Sequence, residues 1–396
     1  MKPLEIAPNI YSVGAVDWNV RDFHGYSTKQ GTTYNAFLII DDKITLIDTV
    51  KKEFTGELIA NISRIVDPKK IDYVISNHTE MDHSGGLPEV MNYIGKEKPV
   101  FCSEKGIEDL NRHFKNLNLK QVKDGEELKL GKRTLKFLET RMLHWPDSMF
   151  SYVLENKILF ASDAFGQHYA GPEMFDDEIA DWAIMPHAKK YFANILLLYS
   201  PLIKNLIKKV TDLKLEFKMI CPDHGIIWRK DPLKIISWYA EWAEQKPAKK
   251  AVIIYDTMWH STEKMAEAIV AGLKEAGISA VPMNLRTWHR SDIITEVLDA
   301  AAVIVGSPTL NNGLFPTVSD FLTYMKGLKP KNKIGAAFGS YGWSGESVKI
   351  IARELEDMKF KMIDPGCAIK FVPDDEGIKT CIELGNKIGS ALASLN

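Results

Sequence analysis

Four potential metal ligands fall within six positions of the segment SNHTEMDHSGG: His78, Glu80, Asp82 and His83. Imidazole nitrogens and carboxylate oxygens at this density are what a transition-metal site requires, and a pair of metals needs several ligands delivered from one segment. The ligands at 78, 80 and 82 are spaced by two. On a helix, residue i+2 points away from residue i, so the segment reads as a loop leaving the end of the apolar run YVIS, with the following glycines permitting a tight turn. Three more residues of the same chemistry follow strand-like runs: His144 in MLHWPDSM, Asp163 in LFASDAFG and His224 in ICPDHGII. Any one of these histidines alone reads as an ordinary surface or core residue. All of them, in this order and each after a strand, read as one metal site at one edge of a sheet.

The four cysteines, Cys102, Cys221, Cys367 and Cys381, form no C-x-x-C pair. A disulfide framework and a thiolate-held iron site are therefore not expected, and metal chemistry falls to His, Asp and Glu. A second constellation lies further on. The run AVIIYD ends in TMWHSTEK, where Thr257, Ser261 and Thr262 offer hydroxyls and a helix starts near Ser261. A helix N-terminus with free N–H groups and flanking hydroxyls suits a phosphate. No G-x-G-x-x-G is present, which argues against a dinucleotide fingerprint. Two glycine-rich loops follow later strands: GSPTLNNG (306–313) and GSYGWSG (339–345).

Two different rhythms must position these groups. Up to about residue 245, short strand-like runs (TTYNAFLII, KITLIDTV, IDYVISN, PVFCS, TLKFLET, MFSYVLEN, KILFASD) suggest two groups of mostly antiparallel strands, with helices over EFTGELIANISRIV and from about Asp181 to Val210. A polar, Lys- and Pro-containing stretch around residues 244–250 reads as a linker. Beyond it, near-continuous apolar runs (AVIIYD, AVPMNL, AAVIVGS, KIGAAFGS) alternate with helical patterns such as Met265, Ile269 and Leu273, which implies a doubly wound parallel sheet. The expected division is 1–247 and 250–396. With 396 residues, 26% charged and a net charge of −2, nothing advertises nucleic acid or an anionic membrane surface. No signal-peptide-like or membrane-spanning apolar stretch stands out, so a cytoplasmic location is expected.

The order H-x-E-x-D-H, then His, Asp and His, resembles the metallo-β-lactamase fold, an αββα sandwich carrying two metals. Zinc hydrolases of that fold place His where this chain has Glu80; the carboxylate makes the site harder and more anionic, favouring iron. Glu80 together with the flavodoxin-like second half makes the whole chain resemble the flavodiiron proteins, which reduce dioxygen or nitric oxide. The segments HGYSTKQGTTYNAFL, LHWPDSMF and DTMWHSTEKMA strengthen that resemblance. It implies two non-haem irons: His78, Glu80 and His144 on one, Asp82 and His224 on the other, Asp163 bridging, and His83 at the remaining ligand position. It also implies pocket-lining roles for His24 and Tyr191. FMN would lie at the carboxyl ends of the second sheet, held by the phosphate loop (Thr257, Met258, Trp259, His260, Ser261, Thr262) and the two glycine-rich loops (Ser307, Pro308, Thr309, Asn311, Asn312, Gly313; Ser340, Tyr341, Gly342, Trp343, Ser344, Gly345).

By the same resemblance, FMN passes electrons to the irons. Dioxygen would take four electrons and four protons to give two waters; two nitric oxide molecules would take two of each to give nitrous oxide and water. With no C-x-x-C pairs for a fused rubredoxin domain, the expected donor is separate, a rubredoxin-type protein or reduced coenzyme F420. The expected assembly is a head-to-tail homodimer, with a dimer of dimers as a further step. Two rivals remain open from the residues alone: a zinc hydrolase with an appended flavin domain, and a non-catalytic electron carrier.

Overall fold

The computed structural model describes residues 2–394. The chain divides into two compact units. One comprises the residues up to His24, Thr28–Tyr191 and Tyr199–Ala240; the other comprises Gly25–Ser27, Phe192–Leu198 and the chain from Glu241 onward. The two short segments that join the second unit carry no sequence signal of their own. The stretch expected as a linker is mostly regular structure: a helix runs to Glu244 and the first strand of the second unit begins at Ala248. Its lysines were misleading because Lys249 and Lys250 sit at the open start of that strand, where their charged ends reach the Ala393 carbonyl and Glu296.

The first unit contains a seven-stranded sheet in the spatial order Leu4–Ala7, Ile10–Ser12, Phe37–Ile39, Thr45–Ile47, Tyr73–Ile75, Pro99–Cys102, Asn118–Gln121. Pairing is antiparallel as far as Thr45–Ile47 and parallel beyond it. A five-stranded sheet runs Glu127–Lys129, Thr134–Glu139, Met149–Val153, Ile158–Phe160, Met219–Cys221, with only its last pair parallel. Successive strand residues face opposite ways. Phe37, Ile47 and Ile75 of the first sheet therefore meet Phe137, Met149 and Phe160 of the second in one core. Leu38, Leu46 and Val74 point away, towards Leu58, Ile62, Leu87 and Val90 of the helices Thr55–Ser63 and Leu87–Ile94. Behind the second sheet, Phe150, Phe165 and Tyr239 of the helix Pro232–Glu244 stack ring on ring at 6.2 and 4.8 Å. The layers are helix, sheet, sheet, helix.

Two sequence expectations are corrected here. TTYNAFLII is two strands, not one: Thr32–Tyr34 pairs with Ala15–Asp17, and Phe37–Ile39 enters the large sheet. The break is at Asn35, whose backbone N–H donates to the Asp223 carbonyl and whose side chain donates to the carbonyls of Pro222 and Gly225. The helix expected from Asp181 to Val210 contains Pro186 and is interrupted by a π-helical turn, Phe192–Leu196, and a 3₁₀ turn before it resumes at Ser200–Asp212.

The second unit is a parallel sheet in the order Ser279–Asn284, Ala248–Tyr255, Ala300–Gly306, Ile334–Tyr341, followed by Lys361–Met362 and Cys367–Lys370, which both pair with Ile334–Tyr341. The strand order reverses between Ala248–Tyr255 and Ala300–Gly306, the crevice where such sheets bind ligands. The helices Ser261–Glu275 and Asp375–Ala393 cross closely on one face. Gly272 and Gly385 allow it, because a Cβ on either would stand 2.1 Å from the Ile382 carbonyl or 2.3 Å from that of Ile269. Among the described residues, no helix is long and apolar enough to cross a membrane.

Candidate functional site

The strand Tyr73–Ile75 ends at a short loop that carries His78 and Glu80. The chain then turns into the helical segment Met81–Ser84, so Asp82 and His83 lie on a helix turn and not on the loop expected from the spacing. The turn is set by the Glu80 carbonyl, which accepts from the N–H groups of His83 and Ser84. Helical curvature swings Asp82 and His83 to one side while the extended residues at 78 and 80 reach the other.

All seven expected ligands converge. Glu80 Oε2 stands 3.3 Å from His78 Nε2 and 3.2 Å from His144 Nε2. Asp163 Oδ2 is 2.9 Å from His144 Nε2 and 3.7 Å from His78 Nε2. On the opposite side, Asp163 Oδ1 is 3.1 Å from His83 Nε2 and 3.5 Å from His224 Nε2, and both rings also face Asp82 Oδ2, at 3.2 and 3.1 Å. Besides an overlapping set, His83/Asp163/Asp223, two groups of donor atoms account for the seven expected ligands, His78/Glu80/His144/Asp163 and Asp82/His83/His224, each with its atoms within 4.8 Å of one another. Asp163 presents one oxygen to each.

The electrostatics follow from crowding charge in a buried place. Burial alone would raise the Asp163 and Asp82 carboxyls. The surrounding imidazoles, His83 foremost, override it and hold both well below the usual carboxylate range. Glu80 is likewise brought down to about 2 against its burial, by hydrogen bonds from His144 and His78. Burial would depress the imidazoles, but the carboxylates raise His78 and His83 well above the usual value and His144 to about 8. Both Asp82 oxygens, both His83 ring nitrogens and Asp163 Oδ1 are buried with no hydrogen-bond partner. They meet one another and His224 in charge contacts that are not aligned as hydrogen bonds, and a cation in each group would satisfy them. Mixed imidazole and carboxylate donors fit iron.

The residues that orient the ligands were missed from sequence. Asp147 accepts from His78 Nδ1 at 3.0 Å, the Thr33 carbonyl accepts from His224 Nδ1 at 2.6 Å, and Asp223 lies 3.6 Å from His83 Nδ1. Asp147 follows His144 by three positions in HWPD and Asp223 immediately precedes His224 in PDH, which was the available signal. His168 was also missed. Its ring packs against those of His224 and Tyr191 at 4.8 and 5.1 Å, its Nδ1 is 2.9 Å from Thr32 Oγ1, and burial, then His224, hold it well below the usual imidazole value. Of the two expected pocket-lining residues, His24 is largely exposed with Nε2 3.2 Å from Glu80 Oε1. Tyr191 is buried, 6.1 Å ring to ring from His224, and its phenol is raised well above its usual value by burial and by Asp163.

The second unit holds a cavity of about 520 Å³ lined by Met258, Trp259, Ser261, Pro308, Thr309, Asn311, Asn312, Ser340, Tyr341, Gly342, Trp343 and Ser344, all expected, together with Leu310, Phe371 and Val372, which were not. The last two follow the final strand and lack the glycine and hydroxyl signals of the other loops. Six expected residues support the cavity without lining it. Thr262 Oγ1 bonds Ser340 Oγ at 3.0 Å; Ser307 Oγ accepts from Phe315 N; Gly313 closes a turn with Leu310; Gly345 precedes the helix Glu346–Asp357. His260 is exposed and pairs with Glu263. Thr257 lies at the carboxyl end of Ala248–Tyr255, and its buried Oγ1 has no partner. With the Ser261 helix N-terminus beside it, that orphan hydroxyl fits a phosphate. Trp259 and Trp343 stand 86% and 88% exposed at the rim, available to flank a flat ring.

Comparison with known proteins agrees with both halves. The family described as ODP family beta lactamase matches residues 32–225, and the flavodoxin family matches residues 253–385. The chain is 49% identical to a nitric oxide reductase from Moorella thermoacetica over 99% of each. It superposes on the structure of the rubredoxin oxygen:oxidoreductase from Desulfovibrio gigas with a TM-score of 0.97 and 44% identity over 99% of each chain. The flavodiiron protein from Giardia intestinalis gives 0.96 at 36% identity, covering 100% of this chain and 97% of that one.

The chain belongs to the flavodiiron protein family.

Membership of the flavodiiron family sets aside the hydrolase and the bare electron carrier, since these relatives are named as oxidoreductases. It also makes the flavodoxin unit the expected seat of a flavin relay and the clustered His, Asp and Glu side chains the expected seat of a metal pair.

Proposed function

We propose that this flavodiiron oxidoreductase reduces dioxygen, nitric oxide or both at two irons in the first unit, with electrons relayed through FMN in the second. The observation that carries the reading is Asp163, whose two oxygens face two separate groups of imidazole and carboxylate donors. In this reading His78, Glu80 and His144 would hold one iron and Asp82, His83 and His224 the other, with Asp163 turning one oxygen towards each group. The cavity of about 520 Å³ would hold FMN, with Thr257, Ser261 and Thr262 available to its phosphate. The proposed functional division is 1–247 for the metal site and 250–396 for FMN, while the compact second unit itself takes in the chain from Glu241.

When bound, the irons and FMN supply the redox chemistry: four electrons per dioxygen, or two per pair of nitric oxide molecules. The chain's own residues do the rest. Asp163, with one oxygen facing each donor group, would hold both metals. Asp147 and the Thr33 carbonyl hold the His78 and His224 rings so that each presents Nε2 inward. Tyr191, His168 and Phe23 pack around His224 and exclude water from that side, with Phe23 4.8 Å from His168, ring to ring. His24, exposed beside Glu80, is placed to exchange protons with solvent at Nε2.

A rubredoxin-type donor follows the name of the Desulfovibrio gigas relative; reduced coenzyme F420 is the other candidate. A head-to-tail homodimer is the proposed assembly, and an active monomer on gel filtration would overturn it. The central test is elemental analysis and flavin quantification on one anaerobically purified sample. Two irons and one FMN per chain, with consumption of dioxygen or nitric oxide when the flavin is reduced, are expected. Zinc in protein from iron-replete cells, without gas consumption, would overturn the reading.

A further inference from the structure

His83 and Asp223 face each other across 3.6 Å, and neither has what it needs. Both are fully buried. His83 Nδ1 and both carboxyl oxygens of Asp223 lack a hydrogen-bond partner. The Asp223 main chain is pinned on both sides, its N–H donating to the Ser162 carbonyl at 2.8 Å and its carbonyl accepting from Asn35 at 2.7 Å. The neighbouring acid Asp48 does not share the problem: its two oxygens accept from Asn77 N and Nδ2, both at 2.7 Å. Among the described residues, the basic nitrogen paired with the Asp223 carboxyl is His83 Nδ1.

The other end of the His83 ring points into the ligand cluster, Nε2 standing 3.2 Å from Asp82 Oδ2 and 3.1 Å from Asp163 Oδ1. A metal on Nε2 leaves the neutral ring with its one proton on Nδ1. That proton points at Asp223, and closing the contact to hydrogen-bond length needs a shift of well under 1 Å. A carboxyl oxygen accepts it whether or not the other oxygen carries a proton. One metal would thus satisfy two orphaned groups at once. The opposite half of the cluster already shows the finished arrangement: His78 presents Nε2 to Glu80 and donates Nδ1–H to Asp147 at 3.0 Å.

We propose that Asp223 is a positioning residue that commits His83 to the metal held by Asp82 and His224, completing that metal's protein ligand set. The inference rests on the two-metal reading above. Loss of such outer carboxylates typically weakens metal binding by roughly ten- to a hundredfold.

The test is anaerobic titration of metal-free full-length protein with ferrous iron, followed by tight equivalents bound and by Mössbauer spectra, with circular dichroism to verify folding. Wild type should take two equivalents. D223L, which replaces a buried acid by an apolar side chain of similar size, should lose about ten- to a hundredfold in affinity for one equivalent, altering one Mössbauer doublet and leaving the other. D223N should fall between, because its amide oxygen still accepts. In an H83A background, D223L should have no further effect. Unchanged binding of both equivalents by D223L and D223N, or an equal loss with and without His83, would overturn the proposal. Failure of the wild type itself to take two equivalents would overturn the two-metal reading, and this inference with it.

Discussion

The Asp147 carboxylate holds two consecutive residues of the ligand loop. One oxygen accepts from His78 Nδ1 at 3.0 Å and from the Thr79 backbone N–H at 2.7 Å. Asp147 is buried, and His78 in turn holds its carboxyl below the usual value in spite of that burial. The pair fixes both the ring direction of His78 and the path of the chain that carries it.

Replacing Asp147 by Ala should therefore act twice. Metal affinity should drop about ten- to a hundredfold, measured by ferrous iron titration. The unpaired Thr79 N–H should cost roughly 1–3 kcal/mol of stability in the metal-free chain, measured by urea unfolding. D147N should recover part of the stability and less of the affinity.

Glu80→His restores the imidazole that zinc hydrolases of this fold carry. The change removes one negative charge and one hard oxygen donor, so the zinc-to-iron ratio of protein grown with both metals should rise, as read by elemental analysis. Gas consumption should fall in proportion to the iron lost. An unchanged ratio would show that Glu80 does not set metal choice.

Thr257→Val removes a buried hydroxyl that has no protein hydrogen-bond partner. The flavin-free protein should change little in stability, because no hydrogen bond within the protein is lost. FMN binding should weaken by about 1.5–3 kcal/mol, the worth of a hydrogen bond to a charged group, or roughly ten- to a hundredfold. Fluorescence titration with FMN checks both the sign and the size.

Chelation of the metals should lower the melting temperature, and iron should restore it. Free iron at a hundred times its dissociation constant stabilises by about 2.7 kcal/mol, which for a unit of this size is roughly 5–10 °C. Removing FMN alone should leave that iron-dependent shift in place, which calorimetry of the flavin-free protein would show.

Much of the site was legible because its chemistry is local. H-x-E-x-D-H, the later His, Asp and His, and the three flavin loops each announce themselves by residue type after an apolar run, and strand periodicity places each at a strand end. Part of what was misread depended on partners distant in sequence. Asn35 breaks a strand because it reaches Pro222 and Gly225. Asp82 and His83 take a helical turn, and the apparent linker is the end of a helix and the start of a strand. Phe371 and Val372 enter the flavin cavity only because the last strand lies beside Ile334–Tyr341.

By itself, then, the sequence determined which donors are available, the alternation that builds two layered units, and the choice of carboxylate over imidazole at position 80. These depend on side-chain chemistry and on periods of a few residues, which survive in one dimension. Tertiary structure alone decided which way each ligand faces. That Asp163 turns one oxygen to His144 and the other to His83, and that Asp147 and Asp223 stand behind His78 and His83, are matters of a few ångströms between segments tens of residues apart. Such distances are set by the packing of Phe37, Ile75, Phe137 and Phe160 between the two sheets, since a close-packed core leaves the loops at its edge little freedom to be anywhere else.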